Sequence, residues 1–216
     1  MNTANDDDLM SRFDDVEVST FRKVPICLVL DVSKSMECRD GSTLTKIELL
    51  NEFYNGFISF VRLDKRAKEM VDFCAITFGG EVTVINEWSN INSINTIKFF
   101  PKGAKPIGAA MEKACELIDS RRIFYKDKGF EYYKPIVILI SDGETTNDYK
   151  SVAQEVSKKV KLKSGGIRVI PIIIGQNIYS KTVAAFSPIY IPKATCSSDE
   201  LIDVPKNLFF SLFASD

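Results

Sequence analysis

Four short runs of almost uninterrupted apolar residues constrain the fold of this chain more than any other feature. They are VPICLVL (24–30), VDFCAITF (71–78), KPIVILI (134–140) and IRVIPIII (167–174), and they are rich in β-branched residues. Runs of this length and composition are typical of strands that are buried on both faces of a sheet. The four runs therefore predict the centre of one sheet.

Amphipathic helical patterns fill intervals between these runs. Apolar residues recur on one helical face in the segments 47–61, 107–118 and 152–160. This alternation predicts an α/β fold with a doubly wound, mostly parallel sheet and helices on both faces. The segment EVTVIN (81–86) follows two glycines at 79–80, so it predicts a hairpin partner of the second run and hence one antiparallel edge strand.

The length and the terminal segments predict one domain in the cytoplasm. A chain of 216 residues with 45% hydrophobic content is long enough for one well-covered core. We expect an acidic, partly disordered tail over residues 1–20 and a single domain over 21–216, with Pro205 opening the last helix. The first twenty residues lack the basic start and apolar core of a secretory signal, and no apolar run approaches the length of a membrane span.

The composition excludes several kinds of chemistry. Lysine and arginine number 28 against 29 aspartates and glutamates, so the charge gives no indication of a nucleic acid or membrane partner. The chain has no histidine, which removes Ser-His-Asp and Cys-His nucleophiles and all histidine-ligated metals. Its five cysteines are scattered and never form a C-x-x-C pair, which argues against disulfides and thiolate zinc. A site must therefore use carboxylates, hydroxyls, amines or a hard metal ion.

Two polar motifs follow apolar runs of the predicted sheet. LDVSKSM (30–36) places Asp31, Ser33 and Ser35 at alternate positions after the first run, and Asp142 follows KPIVILI in ISDGETTND. In doubly wound sheets, ligands bind beyond the carboxyl ends of the strands, so we expect these two loops to meet there. The simpler alternative is that these residues only cap helices and close turns.

The D-x-S-x-S motif after the first strand, with S-D-G after a later strand, resembles the metal-ion-dependent adhesion site of von Willebrand factor A domains. The resemblance covers about residues 23–214. The phrases RKVPICLVLDVSKSM, AITFGGEV, KPIVILISDGETTND and IRVIPIIIG are most similar to the bacterial tellurite-resistance (TerY-type) proteins, which are small cytoplasmic members of that family.

This resemblance implies a divalent metal site that binds a partner protein. Ser33 and Ser35 would bind Mg2+ or Mn2+ directly, while Asp31 and Asp142 would hold coordinating waters. The resemblance also implies that a carboxylate from the partner completes the metal shell and that the domain is not an enzyme. Kinase-like or phosphatase-like proteins of tellurium-resistance and stress-response systems are the partners it suggests.

One position departs from the family pattern. The family has a threonine in a phrase of the form G-G-T-x-L-G, whereas GAKPIGAAM (103–111) has Lys105 in its place. Two unit charges ~4 Å apart interact by roughly 4 kcal/mol at an effective dielectric of about 20, and a divalent ion doubles that repulsion. The sequence leaves two predictions for Lys105: it points inward, pairs with Asp31 and Asp142 and replaces the metal, or it swings outward. In the second case the remaining ligands bind the ion weakly, and Thr145 or Thr43 is the alternative source of the missing oxygen.

A hydrolase is a third alternative. An aspartate after the first strand also begins the haloacid-dehalogenase phosphatases, but these need a second carboxylate two residues later, where this chain has Ser33. The sequence offers no obvious catalytic base and no phosphate-binding G-x-x-x-x-G-K-[ST] motif. We therefore expect the domain not to be an enzyme.

Overall fold

A six-stranded sheet forms the centre of the protein. The computed structural model describes residues 21–143, 145, 148–176 and 180–213, so the tail expected over 1–20 lies outside the described residues. The strands are β1 (Val24–Asp31), β2 (Val71–Gly79), β3 (Glu81–Asn90), β4 (Ile136–Ser141), β5 (Arg168–Ile174) and β6 (Lys193–Thr195). Their order is β3-β2-β1-β4-β5-β6, with β3 antiparallel to β2 and the other neighbours parallel. The predicted α/β fold with an antiparallel edge strand is confirmed.

Helices cover both faces of this sheet. They are α1 (Lys46–Leu63), α2 (Ala67–Met70), α3 (Ile107–Lys128), α4 (Lys150–Lys161), α5 (Lys181–Ala185) and α6 (Ser198–Phe213). Buried residues of α1, α2 and α6 pack on one face, and those of α3, α4 and α5 pack on the other. All of β1 is buried because both of its faces are covered, which explains its uninterrupted apolar run. Within the described part of the chain, no helix combines the length and the apolar character that crossing a membrane requires.

The last helix begins earlier than the sequence prediction. Pro205 lies inside α6, which starts at Ser198, so the prediction that this proline opens the helix is wrong. The Ser197 hydroxyl accepts a hydrogen bond from the Asp199 backbone N–H, and acidic residues occupy the first turn. Both features favour a helix start at this point, since they satisfy an exposed N–H group and the positive end of the helix dipole.

The topology places β1 and β4 side by side at the point where the chain reverses its direction of winding. From β1 the chain proceeds outward to β2 and β3, and α3 then carries it back to β4 on the other side of β1. Leu30 pairs with Ile140, so the carboxyl ends of the two strands emerge together. Ligands bind at such switch points in open α/β sheets, because the loops diverge there and leave a crevice.

Candidate functional site

The carboxylates of Asp31 and Asp142 meet around the ammonium group of Lys105. Lys105 Nζ lies 3.3 Å from Asp31 Oδ2 and donates a hydrogen bond to Asp142 Oδ1. All three side chains are nearly buried, with exposed fractions of 10% for Lys105, 0% for Asp31 and 6% for Asp142. The structure therefore brings together the three charged residues that the sequence analysis selected, and Lys105 points inward.

Close backbone packing fixes the loop that carries Lys105. The Lys102 backbone N–H donates to the Val32 carbonyl at 2.7 Å, which joins this loop to the segment after β1. Gly103 has a φ of +61°, and a Cβ atom there would lie 2.4 Å from Gly80 Cα. A side chain at position 103 would clash with the backbone of Gly80, and the positive φ is unfavourable for residues other than glycine. Glycine therefore allows the close approach of the two loops that directs Lys105 into the crevice.

Ser33 and Ser35 lie beside these charges. The Ser33 backbone N–H donates to Asp31 Oδ1 at 2.8 Å, and the two serine Oγ atoms are 3.1 Å apart. Ser33 is buried, whereas Ser35 is exposed and its hydroxyl helps to lower the pKa of Asp142. The two residues expected as direct metal ligands thus take part in the hydrogen-bond network of the carboxylates.

Thr145 and Ser141 support the site from the β4 side. The Thr145 hydroxyl donates to the backbone carbonyl of Lys105 at 3.0 Å, so it helps to hold the lysine loop. Ser141, the buried last residue of β4, donates its hydroxyl to Asp31 Oδ2 at 2.6 Å and accepts a hydrogen bond from the Gly143 N–H at 3.2 Å. The sequence analysis did not assign this role to Ser141, although the residue is the serine of the S-D-G motif.

A second lysine that the sequence analysis missed also reaches the site. Lys46 Nζ lies 3.2 Å from Asp142 Oδ2 and 3.8 Å from Asp40 Oδ2, and its side chain is only 13% exposed. The Gln176 backbone N–H donates to the same Asp40 oxygen at 3.1 Å, so the loop after β5 holds this carboxylate in place. Lys46 is the first residue of α1, where the helix dipole disfavours a cation, and that unusual position is the signal available in the sequence.

The neighbours of Asp142 stabilise its charged form. Burial by itself would raise the pKa of this carboxyl group, but Lys105, the Ser35 hydroxyl and Lys46 together lower the pKa below its ordinary value. Both lysines donate to the ionised form and the serine hydroxyl favours it as well, which outweighs the loss of contact with water. Asp142 is therefore a buried carboxylate that depends on cations supplied by the protein.

This arrangement does not fit Mg2+ or Mn2+. Such hard cations need oxygen ligands in near-octahedral geometry. Here each of the four carboxylate oxygens of Asp31 and Asp142 already accepts a hydrogen bond or ion pair from the protein, and the Lys105 ammonium lies between the two side chains. In the part of the chain that the structure describes, no group of three or more acidic, cysteine or histidine side chains is placed to hold a metal.

Solved structures with the same fold come from several kinds of organism. Proximal thread matrix protein 1 from the mussel byssus has a TM-score of 0.58 and 16% identity, covering 86% of this chain and 45% of its own. The manganese-loaded TRAP protein of Plasmodium vivax has a TM-score of 0.57 and 20% identity, covering 85% and 73% respectively. The conserved hypothetical protein BatB of Bacteroides thetaiotaomicron has a TM-score of 0.56 and 18% identity, covering 89% and 100%.

These similarities are limited to the fold. The identities are too low to carry a function across, and this chain spans less than half the length of the mussel protein, at 45%. A comparison with curated proteins finds no matching sequence.

The fold and the position of the site define the class of protein. A doubly wound sheet in the order 3-2-1-4-5-6, with D-x-S-x-S and S-D-G loops meeting at the switch point, is the arrangement that the sequence motifs predicted. The family model of the von Willebrand factor type A domain matches residues 26–189, and the chain belongs to this family. Domains of this family are generally interaction modules rather than enzymes.

Proposed function

We propose that this von Willebrand factor A domain is a protein-interaction module whose adhesion-type site is closed by Lys105 in place of a divalent ion. The position of Lys105 Nζ between the carboxylates of Asp31 and Asp142 is the observation that carries the proposal. The domain keeps the general function of its family, but its site needs no metal to hold the two loops together.

Burial supports a lysine that remains in the site. Asp31 is fully buried and Lys105 is 10% exposed, so their charges are largely removed from water. Removing one partner of a buried ion pair is strongly destabilising, because the other charge is left without compensation. A metal ion entering the site would have to displace Lys105 and leave its ammonium group without these carboxylates.

A metal-bridged contact is the alternative function of the same site. In that case Ser33 and Ser35 would bind Mg2+ or Mn2+, Asp31 and Asp142 would hold the waters, and a carboxylate of the partner would complete the shell. The TRAP neighbour is described as manganese-loaded, which concerns that protein at 20% identity. The inward position of Lys105 favours the metal-independent form for this chain.

Calorimetric titration with MgCl2 and MnCl2 distinguishes the two forms. We expect no binding to the wild type and weak binding to Lys105→Thr, which restores the family residue and removes one ammonium group. Lys102→Thr is the matched control, because Lys102 belongs to the same loop but pairs with Glu81 at the exposed surface. Saturable binding of either metal to the wild type would overturn the metal-independent proposal.

We further propose that the partners belong to a bacterial tellurium-resistance or stress-response system, in which the domain acts in the cytoplasm. The similarity of four sequence phrases to TerY-type proteins supports this assignment. Co-expression with the kinase-like and phosphatase-like proteins of such a system should give a complex that survives purification in EDTA. The absence of a complex with every such protein would contradict this assignment, and loss of the complex in EDTA would contradict the metal-independent form.

The site is poorly suited to hydrolysis. A phosphatase of the haloacid-dehalogenase type needs an accessible nucleophilic aspartate, whereas Asp31 is buried and both of its oxygens accept hydrogen bonds. Ser33 stands at the position of the second carboxylate. The proposal therefore assigns no catalytic residue.

A further inference from the structure

The charge of the site depends on Lys46 as well as Lys105. The two oxygens of Asp142 are divided between these lysines, since Oδ1 accepts from Lys105 and Oδ2 lies 3.2 Å from Lys46 Nζ. Both lysines are largely buried, with exposed fractions of 10% and 13%. They enter from different elements, because Lys105 precedes α3 and Lys46 begins α1.

The surroundings hold Lys46 in this position. Its ammonium also lies 3.8 Å from Asp40 Oδ2, and Asp40 accepts a hydrogen bond from the Gln176 backbone N–H. Gly175 makes room for this contact, because a Cβ atom there would lie 2.5 Å from Asp40 Oδ2 and 3.4 Å from Lys46 Cε. A cation at the first position of a helix is disfavoured by the dipole, so its carboxylate contacts account for its orientation.

We infer that Lys46 and Lys105 together replace a divalent ion, and that Lys46 is a specificity-determining residue which weakens metal binding even when Lys105 is removed. The two ammonium groups bring two positive charges to Asp31 and Asp142, as one divalent ion would. This inference rests on the proposed metal-independent site and identifies what controls it. Lys105→Thr removes only one of the two charges, and the remaining ammonium still repels a dication beside Asp142.

The test compares Mn2+ affinity in four variants at one pH and one salt concentration. Calorimetry with MnCl2 is performed on Lys105→Thr, on Lys105→Thr with Lys46→Met, and on Lys105→Thr with Lys46→Arg, with Lys46→Met alone as the fourth. We expect the Lys46→Met double variant to bind Mn2+ at least about tenfold more tightly than Lys105→Thr, because the second charge has been removed. The Lys46→Arg double variant keeps the charge and should bind no more tightly than Lys105→Thr.

A thermal melt provides a second readout and a control of folding. Mn2+ should raise the melting temperature of the Lys46→Met double variant more than that of Lys105→Thr, since a ligand stabilises the folded state that it binds. If the methionine variant does not fold, Lys46→Gln in the Lys105→Thr background replaces it and carries the same expectation.

The outcomes separate this inference from the function on which it rests. Equal Mn2+ affinity of Lys105→Thr and the double variant, or no binding by either, would overturn the assignment of Lys46 and leave the metal-independent wild type standing. Mn2+ binding to the wild type would instead overturn the proposed function. Mn2+ binding by the Lys46→Arg double variant that is as tight as binding by the Lys46→Met double variant would also contradict the inference. It would show that a positive charge at position 46 does not weaken metal binding.

Discussion

Replacing Lys105 with methionine tests whether its ammonium group holds the site together. The substitution keeps most of the side-chain length but leaves Asp31 and Asp142, which are 0% and 6% exposed, without their shared cation. Breaking a buried ion pair from one side typically costs about 3–5 kcal/mol. We expect the free energy of unfolding to fall by the lower end of this range, about 3 kcal/mol, because Lys46 still contacts Asp142.

The loss of folding stability caused by Lys105→Met should depend on pH in a defined direction. In the wild type the folded pKa of Asp142 is lowered, so this carboxylate stabilises the fold above its unfolded pKa of about 3.9, and the contribution is lost as the pH falls through the folded pKa. Without Lys105, burial should raise the folded pKa of Asp142, and protonation then removes the uncompensated charge. The stability difference between wild type and variant should therefore be largest at neutral pH and shrink as the pH falls through the raised pKa of the variant toward the lowered pKa of the wild type.

Urea denaturation at pH 7 and at pH 4 measures both effects. A loss of about 3 kcal/mol corresponds to a fall in melting temperature of about 6–12 °C for a chain of this size. Lys102→Met is the control, because its exposed ion pair with Glu81 should contribute less than about 1 kcal/mol. A loss below about 1 kcal/mol for Lys105→Met at pH 7, or a loss that does not change with pH, would refute the assignment of Lys105 as the buried cation.

Two further predictions concern the loops and the thiols. Gly103→Ala should lower the free energy of unfolding in urea more than Gly129→Ala does, because both positions have positive φ but only a Cβ at 103 meets backbone within 3 Å; equal losses would contradict the packing of this loop. Native alkylation at pH 8, followed by mass spectrometry, should modify exposed Cys38 well before Cys115, where burial raises the pKa to about 11; similar rates for both thiols would contradict that burial.

Much of the fold was predictable because burial on both faces leaves a clear pattern in the sequence. Strands β1, β2, β4 and β5 coincide with the four apolar runs to within two residues, and the two glycines before β3 indicated the hairpin. β6 was not predicted, since its three residues, Lys193–Thr195, carry no apolar run. The prediction based on Pro205 placed the start of α6 too late in the chain. The capping Ser197 and the acidic first turn indicate the correct start.

The site was predictable to the extent that its residues follow strand ends. Asp31 and Asp142 had to meet because β1 and β4 end at the same edge of a parallel sheet, and the two residues lie directly at those strand ends. The sequence also showed that Lys105 replaces the threonine of the family pattern, but it did not determine whether the lysine side chain points inward or outward. Thr145 was selected as a source of oxygen for a metal, and the structure places its hydroxyl on the backbone of the lysine loop.

The sequence by itself therefore determined the α/β architecture, the family and the edge of the sheet at which the polar loops meet, since each follows from local patterns of burial and from motifs at strand ends. Only the tertiary structure decided which cations lie beside the carboxylates. Lys46 and Asp142 are 96 residues apart in the chain, and Lys105 reaches Asp31 through a loop fixed by a glycine contact. Long flexible side chains such as lysine carry no periodic signal of their direction, so their partners depend on how distant segments pack.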